Sequence, residues 1–297
     1  MSDSTNLTLP NHHYRDRIER VVTFVRSNSS VVGAFLMIGG LFLAQRYIGS
    51  WLTGGSVVDE SDIPSAAAPP AVEAEATDSC EPWLLTFSDE FDGDGVDDGQ
   101  WIRFNSPDRN GNGVRRPDAI TVADGLLVIT GGLVDDEIVA GAMASRHQQQ
   151  YGRFEARVRT EADPSETTSG LIATWPAGNK HPEGGENDLY DTLTSVNREP
   201  FYSYIHHPDG TREEIVHSAG GEEWHELALE WTADAVTILR DGEIVETVTD
   251  PDAIASTPHV MTLQLVANRT EMGENPVRMF VDWVRIYQAN ESPPADC

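Results

Sequence analysis

From residue 81 onward, short runs that alternate apolar and polar residues recur, separated by Asp-Gly and Gly-Gly pairs. In 154–159, Phe154, Ala156 and Val158 fall on one side of an extended chain, and Glu155, Arg157 and Arg159 on the other. A period of two is the pattern of a strand with one buried face. Further strand-like runs lie at 126–130, 225–231, 235–240, 260–266 and 279–287. Turn signals stand at Asp124-Gly125, Gly131-Gly132, Asp209-Gly210 and Asp241-Gly242. Asp-Gly between two alternating runs marks a hairpin, because both residues tolerate positive φ. Helical periodicity is scarce and no internal repeat is visible. The pattern predicts one all-β domain, a sandwich or barrel, over 80–297.

Charge narrows the partners. The formal net charge is −29. The first fifty residues carry five arginines against Asp3, Asp16 and Glu19, so the whole excess lies beyond them. Such a surface repels phosphates and argues against nucleic acid. It suits a neutral or cationic partner, or simply solubility. Lys180 is the single lysine. An acidic, lysine-poor surface fits a salty environment, and codon bias accounts for it equally well.

Residues 27–45 carry no charge, a length of roughly 28 Å as a helix. Arg15, Arg17, Arg20 and Arg26 precede them and Arg46 follows. This reads as a transmembrane signal anchor over 27–48, after a cytoplasmic segment 1–26. The following domain would then be extracytoplasmic, on a single-pass protein of the cell membrane. The competing reading is a cleaved signal peptide, which would make the domain secreted. The nearest small-residue cluster, Ala66 to Ala68, lies some distance beyond the apolar run. Residues 49–79 are rich in Ala, Pro and acids and read as a disordered linker. Cys80 and Cys297 flank the domain with no cysteine between them. In an oxidising compartment they suggest a disulfide joining its ends; two unrelated thiols, or one that makes a dimer, are the alternative.

The densest acidic constellation is Gly184-Gly185-Glu186-Asn187-Asp188-Leu189-Tyr190-Asp191. On a strand Glu186 and Asp188 share a face, and their repulsion favours a proton on one of them. Asp191 has the wrong parity and joins them only if the strand bulges between Asp188 and Asp191. Glycoside hydrolysis needs a carboxylate that attacks the anomeric carbon and an acid that protonates the leaving oxygen. In a chain with 49 acidic residues, an acidic edge strand is the plain alternative.

Several blocks, in order, resemble glycoside hydrolase family 16 over roughly residues 85 to 288. They are Phe87-Ser88-Asp89-Glu90-Phe91 with Trp101, then Asp124-Gly125-Leu126-Leu127-Val128-Ile129, then Tyr151-Gly152-Arg153-Phe154-Glu155-Ala156-Arg157. Thr174-Trp175-Pro176 precedes the acidic motif, and Glu223-Trp224-His225 with Leu229-Glu230-Trp231 follows it. Asp282-Trp283-Val284-Arg285-Ile286-Tyr287 resembles the closing strand. The resemblance implies a concanavalin A-like jelly-roll β-sandwich of two antiparallel sheets, here preceded by one transmembrane helix and a disordered linker. It implies retaining hydrolysis of internal bonds in a polysaccharide, a β-glucan or a related galactan, with no cofactor for catalysis. Carried over by position, Glu186 is the nucleophile, Asp188 holds and polarises it, and Asp191 is the general acid/base. The family has Glu at that last position, and Asp is shorter by about 1.5 Å. Asn187 also replaces a usual apolar residue. The two departures motivate the alternative of a non-catalytic glycan-binding module on the same fold. A structural or adhesive surface domain is a third reading, and a transglycosylase would look the same as a hydrolase.

The resemblance also suggests His206 as a substrate-binding residue; Trp175, a flat aromatic that can stack on a sugar, Gln264, polar between Leu263 and Leu265, and Asn112, in a polar loop at the cleft rim, are further candidates. A core role is the competing reading for Trp175. Trp224 and Trp231 read as core. A structural calcium is implied at Glu90 and Asp282. The loop Asp108-Arg109-Asn110-Gly111-Asn112-Gly113 opens like an EF-hand, but its twelfth position is Ala119, not Glu, and the motif fails.

Overall fold

The computed structural model describes residues 60–64 and 80–291. The described residues belong to one compact unit, Val57–Cys297. The strands are β1 (Trp83–Asp89), β2 (Trp101–Arg103), β3 (Ser106–Pro107), β4 (Val114–Arg115), β5 (Ile120–Ala123) and β6 (Leu126–Val134). They continue with β7 (Glu137–Ala140), β8 (Ala142–Ser145), β9 (Gly152–Thr160), β10 (Thr168–Pro176), β11 (Glu186–Asp191) and β12 (Phe201–His206). The last are β13 (Arg212–His217), β14 (His225–Trp231), β15 (Val236–Arg240), β16 (Glu243–Val248), β17 (His259–Ala267) and β18 (Val277–Ala289).

An 11-stranded sheet runs β16-β15-β14-β9-β18-β6-β7-β4-β3, with β1 on β18 and β5 on β6. A 7-stranded sheet runs β13-β12-β11-β10-β17-β8-β2. Pairing is antiparallel except between β4 and β7. The alternation read at 154–159 places Phe154, Ala156 and Val158 in the core, where they meet Ile172, Leu263 and Leu265 of the other sheet. Burial of this interface is the main stabilising term, as in any sandwich.

Asp124-Gly125 and Asp241-Gly242 do form tight hairpin turns, with both residues at positive φ. Gly131-Gly132 does not turn; it lies inside β6. A Cβ on Gly131 would lie 3.3 Å from the Thr168 side chain and 3.4 Å from Leu265, so glycine there serves sheet packing. The turn falls instead at Asp135-Asp136, both at positive φ. β13 carries the charged run Arg212-Glu213-Glu214 at the sheet edge, where a strand need bury little.

The anchor expectation is corrected. Among the described residues no helix is long and apolar enough to cross a membrane. The helical elements described are two 3-10 turns, Glu60–Asp62 and Pro117–Ala119. Each is about 6 Å long, against roughly 30 Å of hydrocarbon. Residues 27–48 lie outside the described residues, and the single-pass, membrane-attached extracytoplasmic topology is not retained. Part of the stretch read as disordered is ordered, for Ile63 is buried against the sandwich. No cysteine is free among the described residues. Cys297, and with it the expected bond to Cys80, lies outside them.

Candidate active site

The acidic motif forms β11, in the middle of the 7-stranded sheet. Glu186 pairs with His206 of β12, and Asp188 with Tyr204. The register then shifts, and Asp191 faces Tyr202. Three residues of β11 therefore span two of β12, which is a bulge. The neighbour β10 records the same shift, since Asp188 pairs with Ala173 while Tyr190 pairs with Ile172. Two consecutive residues, Leu189 and Tyr190, both enter the core. Asp191 is thereby returned to the face of Glu186 and Asp188. Ser203 donates to the carbonyl of Leu189 at 2.7 Å, so a buried hydroxyl satisfies the backbone at the bulge. Gly185, at φ 71, turns the chain into the strand where a Cβ would press on Ala255 at 3.0 Å.

Glu186 and Asp188 are only 5% and 4% exposed. His181 Nε2 lies 3.2 Å from Glu186 Oε2, and His206 Nε2 lies 3.1 Å from Asp188 Oδ2. Arg109 Nη2 approaches His181 Nδ1 at 3.5 Å, which leaves Nε2–H to donate to Glu186. Burial opposes ionisation of Glu186, but the His181 hydrogen bond and the His206 and Arg109 charges outweigh it and hold its pKa below the ordinary value. Burial first, then the charges of Glu186 and Asp191, push Asp188 well above its ordinary value. Burial also raises Asp191, to about 6, although its carboxylate accepts the Leu193 N–H. That bond is 2.8 Å long. Burial lowers the pKa of His206 below its ordinary value, against the Glu186 charge, which raises it. The cluster thus sets Glu186, held below its ordinary value, beside two acids raised above theirs, the separation that acid–base chemistry requires.

Asn187 points inward. Its Nδ2 donates to Thr174 Oγ1 at 3.1 Å, and Thr174 Oγ1 lies 2.9 Å from His259 Nδ1. His259 Nε2 in turn donates to the Gly184 carbonyl at 3.0 Å. Burial drives His259 down to about 4, so it is neutral and serves as a fixed linker. The polar replacement at 187 therefore ties the backbone before Glu186 to two neighbouring strands.

Gln264 of β17 pairs with Leu171, which pairs with Asp191, so it lies on the acidic face and is partly open. Trp175 is on that face too but only 4% exposed. His181 stacks on it at 4.9 Å and Arg109 at 4.5 Å, so its ring carries side chains rather than an open platform. Asn112 donates to the Ala267 carbonyl at 3.0 Å, beyond Gln264 on the same strand. Trp231 is buried, whereas Trp224 lies among Arg157 and Arg159 on the outer sheet and is not core. Neither His181 nor Arg109 is marked as a site residue by the sequence, since a lone His or Arg in a loop carries no periodic signal. His181 lies five residues before Glu186, and only the tertiary fold shows that it reaches that carboxylate.

Glu90 and Asp282 do not fit a calcium ion. Arg285 grips Glu90 with two bonds of 2.8 and 2.9 Å, and Arg157 pairs with Asp282. Each carboxylate is already neutralised by a guanidinium. Ligand atoms of Glu186, Asp188 and His206 all lie within 4.8 Å of one another, so this set could hold a metal. Nothing in it is specific for calcium.

Solved structures share this architecture. The laminarinase catalytic domain of Thermotoga maritima superposes with a TM-score of 0.61 at 18% identity, over 70% of this chain and 99% of that one. The endo-β-1,3-glucanase of Pyrococcus furiosus gives 0.61 at 15% identity, over 70% and 95%. The laminarinase of Flavobacterium sp. UMI-01 gives 0.60 at 17% identity, over 69% and 100%. No curated protein matches the sequence. At these identities the likeness defines a class of fold, the laminarinase-like jelly roll. The model of glycosyl hydrolases family 16 matches residues 115–285, more than half of the chain, and the chain belongs to that family.

Proposed function

We propose that this domain is a retaining glycosidase acting on β-glucan chains, with Glu186 as nucleophile and Asp191 as acid/base. The observation that carries the proposal is the bulge that brings Asp191 onto the face of Glu186 and Asp188. Glu186, ionised, attacks the anomeric carbon while Asp191 gives its proton to the leaving oxygen. A glycosyl ester on Glu186 results, and Asp191, now a base, takes a proton from the water that hydrolyses it. Asp188, protonated beside Glu186, donates to the carboxylate and stabilises it as it is released. The names of the similar structures favour β-1,3-linked glucan as the first substrate to test. Galactans and mixed-linked glucans belong in the same panel.

A second reading, a glycan-binding module without turnover, draws on one observation. The Asp191 carboxylate is held back by the Leu193 N–H in its own turn. Release of new reducing ends from soluble β-glucans decides between the two. We expect release by the parent chain and a loss of at least about a thousandfold in Glu186→Gln. Binding without release by the parent chain would leave the module reading standing.

A further inference from the structure

The carboxylate face of the 7-stranded sheet is not uniformly open. Across the strands, Asp191 continues into Leu171 and Gln264, both partly exposed. The parallel row from Asp188 through Ala173, Thr262 and Ala144 to Ile102 is buried throughout. Side chains on a bare concave surface would not be. At the Ala144–Ile102 end of that row, Ile63 belongs to a small apolar cluster with Ile102, Phe104, Ala142, Ala144, Trp175 and Val260. Phe104 belongs to the domain, its N–H held by the Ala142 carbonyl at 2.9 Å. Ile63 comes from the segment that precedes the domain. It is 1% exposed, although Ser61, Asp62 and Pro64 around it are exposed. Gln148 Nε2 donates to the Pro64 carbonyl at 2.9 Å and fastens the segment in place.

We propose that Ile63 is a specificity-determining residue that closes the β8–β2 arm of the cleft. The proposal rests on the glycosidase reading above. β8 lies three inter-strand steps from β11, about 14 Å. The cluster already includes Trp175 of β10, the strand next to β11, so a glycan laid across the strands has room for at most a few sugar units on this side. The cleft is then blind on this side, and it takes a chain end or a short oligosaccharide there rather than a through-running chain. Ala142 and Ala144 of the same cluster are small, and Ala144 shares the row of Asp188, so removal of the Ile63 side chain would open this face in line with the carboxylates.

The test is calorimetric titration of the full chain carrying Glu186→Gln with β-1,3-gluco-oligosaccharides of increasing length. The same series is run with Ile63→Asp added, and with the milder Ile63→Ala. Thermal unfolding of each variant establishes that the domain remains folded. We expect affinity to level off at short length when Ile63 is present. With Ile63→Asp it should keep rising and exceed the parent by about tenfold for the longest chains, with Ile63→Ala between. The same length dependence in folded chains with and without Ile63 would overturn the closed arm while leaving the glycosidase reading intact. Failure of all three chains to bind any oligosaccharide would overturn that reading, and the closed arm with it.

Discussion

The two sheets treat acidic side chains in opposite ways. On the outer face of the 11-stranded sheet, acids meet arginines: Glu155 and Glu230 with Arg153, Asp282 with Arg157, Glu90 with Arg285, and Glu161 with Arg278. These groups are partly exposed, and such pairs contribute little to stability one by one. On the face of the 7-stranded sheet, Glu186 and Asp188 stand almost without solvent, and their close polar neighbours are histidines. A histidine can orient a carboxylate without the permanent charge that would lock every acid in its ionised form. The first arrangement spreads charge over a surface. The second drives the titration of adjacent acids apart, which a proton-transferring site requires.

Substitutions sharpen this contrast in order of expected size. After Glu186→Gln, the largest effect should come from Asp191→Asn, a loss of about 10²- to 10⁴-fold in kcat/KM. The parent profile should be bell-shaped. It should fall at low pH as Glu186, held below its ordinary value, gains a proton, and fall above about 6 as Asp191 loses one. In Asp191→Asn the alkaline limb should vanish; its persistence would assign that limb to another group.

His181→Ala should cost roughly tenfold in kcat/KM, the scale of a hydrogen bond to a charged group. Because His181 helps to lower Glu186, the acidic limb should move to higher pH. An unmoved limb would show that His181 is only a cover for Trp175.

Ser203→Ala removes the hydroxyl that bonds the Leu189 carbonyl. It should lower stability by about 1–2 kcal/mol and reduce kcat by several-fold through looser placement of Asp191. KM should change less, which can be read from steady-state kinetics on the same glucan.

The smallest effect is expected on the outer sheet. Asp282→Asn should change stability by no more than about 1 kcal/mol, since the Arg157 pair is one-third exposed. Chelator should leave the Tm unchanged, as Glu90 and Asp282 already have cationic partners. A large fall with chelator would restore the calcium site and weaken the contrast between the two faces.

Residues 154–159 show how much could be read locally, since a period of two is a property of neighbours and survives translation into either sheet. Asp124-Gly125 and Asp241-Gly242 succeeded for the same reason, as the turn is built from those residues alone. Gly131-Gly132 misled because its glycines answer to Thr168 and Leu265, far away in sequence. Glu186 and Asp188 were legible as neighbours on one strand face. Asp191 depended on a bulge that the sequence could only pose as a condition.

By itself, then, the sequence determined the all-β class, the strands with clear alternation, the family and the motif that carries the acids. These depend on alternation, turn chemistry and residue order, all written along the chain. Only the tertiary structure decided that His181 and Arg109 reach the site, that Trp175 is covered, and that Ile63 lies over the acidic face. Each of these is a contact between segments that no local pattern couples. Burial and the field of neighbouring charges then moved the three carboxylates apart, Glu186 below its ordinary value and Asp188 and Asp191 above theirs.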